Sequence, residues 1–281
     1  MIRLEVELLT AGYCVHPEKI TVRDRTPSKK RFPAMAALIK HPEKGYILFD
    51  TGYTQRFFTE TASWPFSIYR HITPVYLQKG ESIAEKLCAQ GIAADQVRYV
   101  ILSHFHADHI GGCRDFPQAT FIAHEDAFNA VKNLTGIKGL RAAFIKNLLP
   151  EDFANRLLLL SDLYAVDLPM EYRPFEWGFD IFADGSLFLI KLAGHTKGQL
   201  GLMIPYSDTG RYFLIADACW QKCSYSQLIP PHWLARIITV NWREYNDNLK
   251  RIHDYAKLHP EVVVVPSHCS ETLEGLASVS N

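Results

Sequence analysis

The 281-residue sequence has no surplus of charge: 30 basic and 30 acidic side chains cancel, and only 21% of residues are charged. A protein that grips nucleic acid or an anionic membrane through its whole surface needs basic residues in excess to neutralise phosphates, so both partners are disfavoured. Long apolar runs are missing as well. The longest, such as Val262–Val265, are strand-sized, far short of the roughly 20 residues that cross a bilayer. Cysteine is sparse: Cys14, Cys88, Cys113, Cys219, Cys223 and Cys269 are scattered without a C-x-x-C pair, which removes the usual redox and zinc-thiolate motifs and suits reduced, buried thiols. The first residues lack the charged-then-apolar layout of a signal peptide; Ile2, Leu4, Val6 and Leu8 alternate with Arg3, Glu5 and Glu7 as in a half-buried strand. These absences predict a soluble, cytoplasmic protein that acts on something other than nucleic acid or membrane. What is present is a hydrophobic fraction of 48%, ample for a core, and 12 histidines.

Short β-rich runs precede amphipathic helices in two blocks. In the first, Ala34–Lys40, Gly45–Phe49, Val97–Leu102 and Ala119–Ala123 read as strands, with helices over Ser82–Gln90 and about His124–Lys132. In the second, Ile181–Phe182, Leu187–Leu192, Gln199–Ile204, Arg211–Ala216 and Val262–Val265 read as strands. A helix over Asn241–Leu258 places Trp242, Tyr245, Leu249, Ile252 and Ala256 on one face. Strands flanked by helices, twice over, predict a layered α/β sandwich built from two similar halves, about 1–132 and 167–281, within one domain. Two stretches depart from the pattern: the aromatic-dense Gly52–Lys79 and a leucine-rich, helical insert at 133–166. Either packs as core or walls a site with apolar side chains, and the aromatic one could equally cover a homodimer face.

The strongest signal is Ser103-His104-Phe105-His106-Ala107-Asp108-His109, directly after the strand Val97–Leu102 and before Ile110-Gly111-Gly112. A lone histidine is more often structural than a ligand. Three histidines and an aspartate packed behind an apolar strand are different, because burying them without partners costs about 1–3 kcal/mol per group. In an extended segment, residues two apart share a face, so His104 and His106 can point at one ion, while Asp108 and His109 begin the next element. Nitrogen and carboxylate donors without thiolate suit Zn²⁺, with Mn²⁺, Fe²⁺ or Co²⁺ as chemically competent substitutes. Three further candidates each follow an apolar strand: His195, Asp217 and His268. His16, His41, His71, His232, His253 and His259 lack that context and read as structural or exposed; His124 is the best candidate for a supporting role behind the ligands.

These positions resemble the metallo-β-lactamase superfamily, whose H-x-H-x-D-H signature is similar to His104, His106, Asp108 and His109. The later histidine, bridging aspartate and final histidine of that family fall on His195, Asp217 and His268, and Asp50-Thr51-Gly52 is similar to its Asp-Thr/Ser-Gly turn. The resemblance covers nearly the whole chain. It implies a four-layer αββα sandwich with two divalent ions, one held by His104, His106 and His195, the other by Asp108, His109 and His268, with Asp217 bridging. It implies a hydrolase in which a metal-bridging hydroxide attacks the substrate, Asp108 moves the proton, and Asp50 supports a histidine from behind.

Several branches fit poorly. Secreted β-lactamases carry a cysteine where Asp217 stands; glyoxalase II enzymes add a basic C-terminal region, whereas thirteen residues follow His268. Nucleic-acid-processing members bring basic surfaces, and diiron flavoproteins replace the second histidine and add a flavodoxin domain. The plan is most similar to N-acyl homoserine lactonases, which implies an ester-type substrate, a lactone with an apolar portion. One departure stands out: that branch places a tyrosine three residues after the bridging aspartate, and Trp220 stands there instead. Indole N–H donates a hydrogen bond but is no acid at neutral pH, which leaves Trp220 as pocket wall and Tyr225 as the candidate source of the missing hydroxyl. The competing expectations are a thioester or phosphodiester hydrolase of the same superfamily, and a mononuclear iron dioxygenase acting on a thiol or persulfide.

Overall fold

In the computed structural model, residues 2–23 and 25–279 are described, apart from the side chains of 237 and 276–279. The chain divides into two compact units. The first comprises Val6–His16 and Arg31–Leu159; the second comprises the segment up to Glu5, Pro17–Lys30 and everything from Leu160 onward.

The first unit is built on a seven-stranded sheet of β1 (Glu5–Pro17), β2 (Lys29–His41), β3 (Gly45–Phe49), β4 (Val75–Tyr76), β5 (Val97–Ile101), β6 (Thr120–His124) and β7 (Leu157–Leu160), in the order β4-β1-β2-β3-β5-β6-β7. β3, β5 and β6 run parallel, so their C-terminal ends share one edge. That edge is where Asp50 and the histidine run emerge. The crossover from β3 to β5 includes the helix Ile83–Ala89, opened by a capping box in which Ser82 and Glu85 satisfy each other's backbone N–H groups. Ile83 and Leu87 of this helix pack with Leu48, Val97 and Val100 of the sheet. Part of the aromatic-dense segment belongs to the same core: Phe57 is fully buried, with Tyr53, Phe58 and Tyr69 edge-on around it. Burying one such ring contributes about 1.5–3 kcal/mol. Trp64, Ile68 and Ile72 of the same segment are exposed.

The second unit carries a six-stranded sheet of β8 (Val166–Asp167), β9 (Trp177–Asp180), β10 (Phe188–Lys191), β11 (Leu200–Ile204), β12 (Arg211–Ala216) and β13 (Val262–Pro266), in the order β13-β12-β11-β10-β9-β8. β12 and β13 are parallel neighbours. The helix Trp242–Leu258 starts at Asn241, whose side-chain oxygen accepts from the N–H groups of Arg243 and Glu244. Its Tyr245, Leu249, Ile252 and Tyr255 pack on Phe213 and Ile215 of the sheet. No helix among the described residues is long and apolar enough to cross a membrane.

Two expectations change. The stretch 133–166 is mostly not helical: it holds a short helix, Gly136–Arg141, three 3-10 turns, and β7, in which Leu157–Leu160 extends the sheet beyond β6. Arg156 helps fix that strand by donating to the Phe116 and Ala119 carbonyls while its guanidinium lies over the Phe121 ring. Ile181 and Phe182 form a turn after β9, because the Asp180 carboxylate accepts from the N–H groups of Asp184 and Gly185 and curls the chain. His124 caps the helix Glu125–Val131, its Nδ1 accepting from Asp126 N–H.

Candidate metal centre

In the first unit, β5 delivers the chain to Ser103 and His104, and the short helix Ala107–Ile110 carries Asp108 and His109. His104 and His109 are buried, with ring centroids 4.0 Å apart, and His106 lies edge-on to His104 at 4.6 Å. Asp108 Oδ2 is 3.7 Å from His109 Nε2. The four residues of the motif therefore converge within this unit.

Behind them stands Asp50, fully buried at the end of β3 and held at a left-handed φ of 61°, a conformation that a non-glycine residue adopts only when its surroundings enforce it. One carboxylate oxygen, Oδ1, accepts from Ser103 N–H at 2.8 Å. The other, Oδ2, accepts from Ser103 Oγ at 2.8 Å and pairs with His109 Nδ1 at 2.7 Å. With the Ser103 hydroxyl proton directed to Asp50, its oxygen is left to accept from His104 Nδ1 at 3.0 Å. Both rings are thereby set as Nδ1–H tautomers, which puts the lone pair on each Nε2, the atom a metal takes.

The glycines after the motif let this arrangement close. A Cβ on Gly111 would lie 2.4 Å from the Gly52 carbonyl oxygen, and one on Gly112 would lie 2.9 Å from the Thr51 carbonyl oxygen. Thr51 in turn donates its N–H and its hydroxyl to the His109 carbonyl, and its hydroxyl oxygen accepts from Gly112 N–H. The Asp-Thr-Gly turn thus fastens both the ring and the backbone of His109.

In the second unit the three candidates come from three strand ends. His195 sits in the turn between β10 and β11, backed by the helix Trp242–Leu258: Asn241 N–H donates to the Gly194 carbonyl, Val240 N–H to the His195 carbonyl, and Asn248 Nδ2 to the Ala193 carbonyl. Gly194 is required there, at φ 136° with a hypothetical Cβ only 2.4 Å from Tyr245 N. Asp217 follows β12 after Ala216, itself at a left-handed φ of 48°. His268 follows the parallel neighbour β13. The Asp217 carboxylate, 3% exposed, divides between the two histidines, Oδ2 facing His195 Nε2 at 3.3 Å and Oδ1 facing His268 Nε2 at 3.2 Å.

Two other expected residues sit differently. Trp220 is buried, edge-on to the His195 ring at 5.4 Å, and its N–H donates to Asp217 Oδ2 at 2.8 Å. Tyr225 lies in the apolar core of this unit, its hydroxyl donating to the Val264 carbonyl at 3.3 Å, and burial pushes its pKa well above the ordinary phenol value. A hydroxyl bonded to the sheet is poorly placed to act as an acid. Ser103 escaped sequence reasoning although it links Asp50 to two histidines; the available signal was its position immediately before His104.

The donors are imidazole nitrogens and carboxylate oxygens, buried except for the half-buried His106, with His104 and His109 held in one tautomer, and they fit a divalent cation of the zinc type. Residues 30–268 match the metallo-β-lactamase superfamily. The chain belongs to that superfamily, and its fold is the metallo-β-lactamase fold. Within it, the chain is similar to N-acyl homoserine lactonase AiiB of Agrobacterium fabrum, 26% identical over 246 residues that cover 86% of this chain and 81% of that protein. It is also similar to a probable metallo-hydrolase of Mycobacterium tuberculosis, 23% identical over 245 residues, covering 82% and 73% of the two chains. Among solved structures, an N-acyl homoserine lactone hydrolase with N-hexanoyl-L-homoserine at its catalytic metal centre superposes with a TM-score of 0.74 at 17% identity, over 98% of this chain and 96% of that one. A Bacillus thuringiensis AiiA variant with N-decanoyl-L-homoserine at its active site gives the same score, identity and coverage.

Proposed function

We propose that the protein is a dinuclear metal-dependent hydrolase that opens a lactone ring, with N-acyl homoserine lactones as the leading substrate class. The observation that carries the dinuclear part is the division of the Asp217 carboxylate between His195 and His268. The lactone rests on the relatives, six of which at 26% identity bear the name N-acyl homoserine lactonase. In this proposal His104, His106 and His195 hold one ion, Asp108, His109 and His268 the other, and Asp217 serves both.

Two divalent ions, Zn²⁺ before Mn²⁺, Fe²⁺ or Co²⁺, would supply Lewis acidity toward the ester carbonyl and make water acidic enough to attack near neutral pH. The remaining work belongs to side chains. Asp50 and Ser103 keep His104 and His109 in the tautomer that presents Nε2. Asp108 accepts the proton of the attacking water and returns it to the ring oxygen as the acyl C–O bond breaks, so the product is an open-chain hydroxy acid. Tyr225 has no part in this scheme; it is a core residue. Scattered thiols and balanced charge suit a cytoplasmic enzyme for a small molecule.

The direct test is a panel of lactones of graded acyl length, with thioesters, phosphodiesters and sulfate esters, offered to the purified metal-loaded protein. Lactone ring opening is expected to be fastest. Absence of ring opening at every acyl length would refute the substrate assignment.

A further inference from the structure

The geometry points to Trp220 as a positioning residue for the bridging carboxylate: its indole N–H holds Asp217 Oδ2 on the His195 side. This rests on the proposed role of Asp217 as a shared ligand, and on three observations within the second unit. The first is the hydrogen bond itself, 2.8 Å from Trp220 Nε1 to Asp217 Oδ2, with the ring edge-on to His195 at an interplanar angle of 87°. The indole therefore touches both a carboxylate oxygen and the imidazole that the oxygen faces.

The second observation is that the segment following Asp217 is anchored. Gln221 is buried, its Nε2 donating to Thr21 Oγ1 at 2.6 Å and its Oε1 accepting from Lys30 Nζ at 3.0 Å. Lys30 is itself paired with Glu18 at 3.1 Å, and the Cys219 thiol donates to the Gln221 carbonyl. Residues on both sides of Trp220 are thus tied down, and its ring has a defined direction rather than a choice of rotamers. The third is donor arithmetic. Indole carries one N–H and no acceptor, so a Trp220 bonded to Asp217 has nothing left with which to bind a substrate carbonyl.

The consequence is an asymmetric bridge. Oδ2 accepts from Trp220 and faces His195, while Oδ1 faces His268. Loss of the N–H frees the carboxylate to rotate and weakens the ion on the His195 side more than the other. Outer hydrogen-bond partners of metal ligands are worth about 10- to 100-fold in affinity, and that range is expected here.

The test uses the metal alone. Full-length apoprotein is titrated with Co²⁺, followed by its visible absorption, and with Zn²⁺ against a chromophoric chelator, for the wild type, Trp220→Phe, and a protein with benzothienylalanine at 220, which keeps the ring shape but replaces N–H by sulfur. Both substituted proteins are expected to bind one of two ions about 10- to 100-fold more weakly, with an altered Co²⁺ spectrum for that ion. Should Trp220→Phe fail to fold, the isostere decides alone. Unchanged affinities and spectra in a folded substituted protein would overturn the role of Trp220 while leaving the hydrolase proposal intact. Wild-type protein that takes up two ions but opens no lactone would sink the substrate assignment and leave Trp220 to be judged by affinity. Wild-type protein that takes up no metal would overturn both.

Discussion

The two units carry their candidate ligands in opposite ways. The first takes all of its donors from one six-residue run, His104–His109, and steadies them with a second short motif, Asp50-Thr51-Gly52. The second gathers His195, Asp217 and His268 from turns that are far apart in sequence, each after a different strand. A contiguous run needs only a strand end and a tight turn to converge, so its geometry is local. A dispersed set converges only if the register of β10, β12 and β13 is right, which makes its geometry a property of the whole sheet. Strain appears in both at equivalent places, with Asp50 and Ala216 left-handed immediately before or at the site residue after a strand. The support differs in kind: buried carboxylate and hydroxyl in the first unit, and in the second the backbone N–H groups just before a helix, the Asn248 amide and an indole.

Substitutions can break this comparison, and the largest effect is expected where one residue serves two others. Asp217→Ala should abolish binding of both ions and lower turnover by several orders of magnitude, as measured by metal content per chain alongside ring-opening kinetics. Asp108→Ala should also lower turnover by orders of magnitude but deplete a single ion; full activity with unchanged metal content would refute its assignment. Asp50→Asn removes the acceptor that fixes His109, and a 10- to 100-fold loss of metal affinity, about what an outer partner contributes, is expected from chelator competition. Glycine changes compare the two backbones directly. Gly111→Ala and Gly194→Ala each force a Cβ to 2.4 Å from backbone atoms, and each should cost at least about 1–3 kcal/mol in denaturant unfolding. Tyr225→Phe should do least: a stability loss of about 0.5–1.5 kcal/mol with turnover unchanged.

The same contrast explains what could be read in advance. The first unit's motif was legible as chemistry because spacing alone puts His104 beside His106 and leaves Asp108 and His109 to the element that follows. The strands behind it were legible because β3, β5 and β6 are buried and apolar. In the second unit His195, Asp217 and His268 were marked only by following apolar strands, a signal that taken singly an ordinary turn residue shares, and they gained meaning beside the first cluster and then from the family resemblance. Trp220 and Tyr225 were harder still, since a side chain's hydrogen-bond partner depends on neighbours that no local pattern names; the indole proved to serve Asp217 and the phenol to serve the sheet. Leu157–Leu160 was misjudged for a related reason. A short apolar run fits a helix or an edge strand equally well, and the choice was made by the open side of β6 and the grip of Arg156.

The central claim is that the two dissimilar ligand sets serve a pair of divalent ions, and metal content per chain, measured by elemental analysis on the purified 32.0 kDa protein, tests it most directly. Two zinc-like equivalents per chain are expected; a single iron accompanied by oxygen uptake would contradict it and point to a mononuclear oxygenase instead.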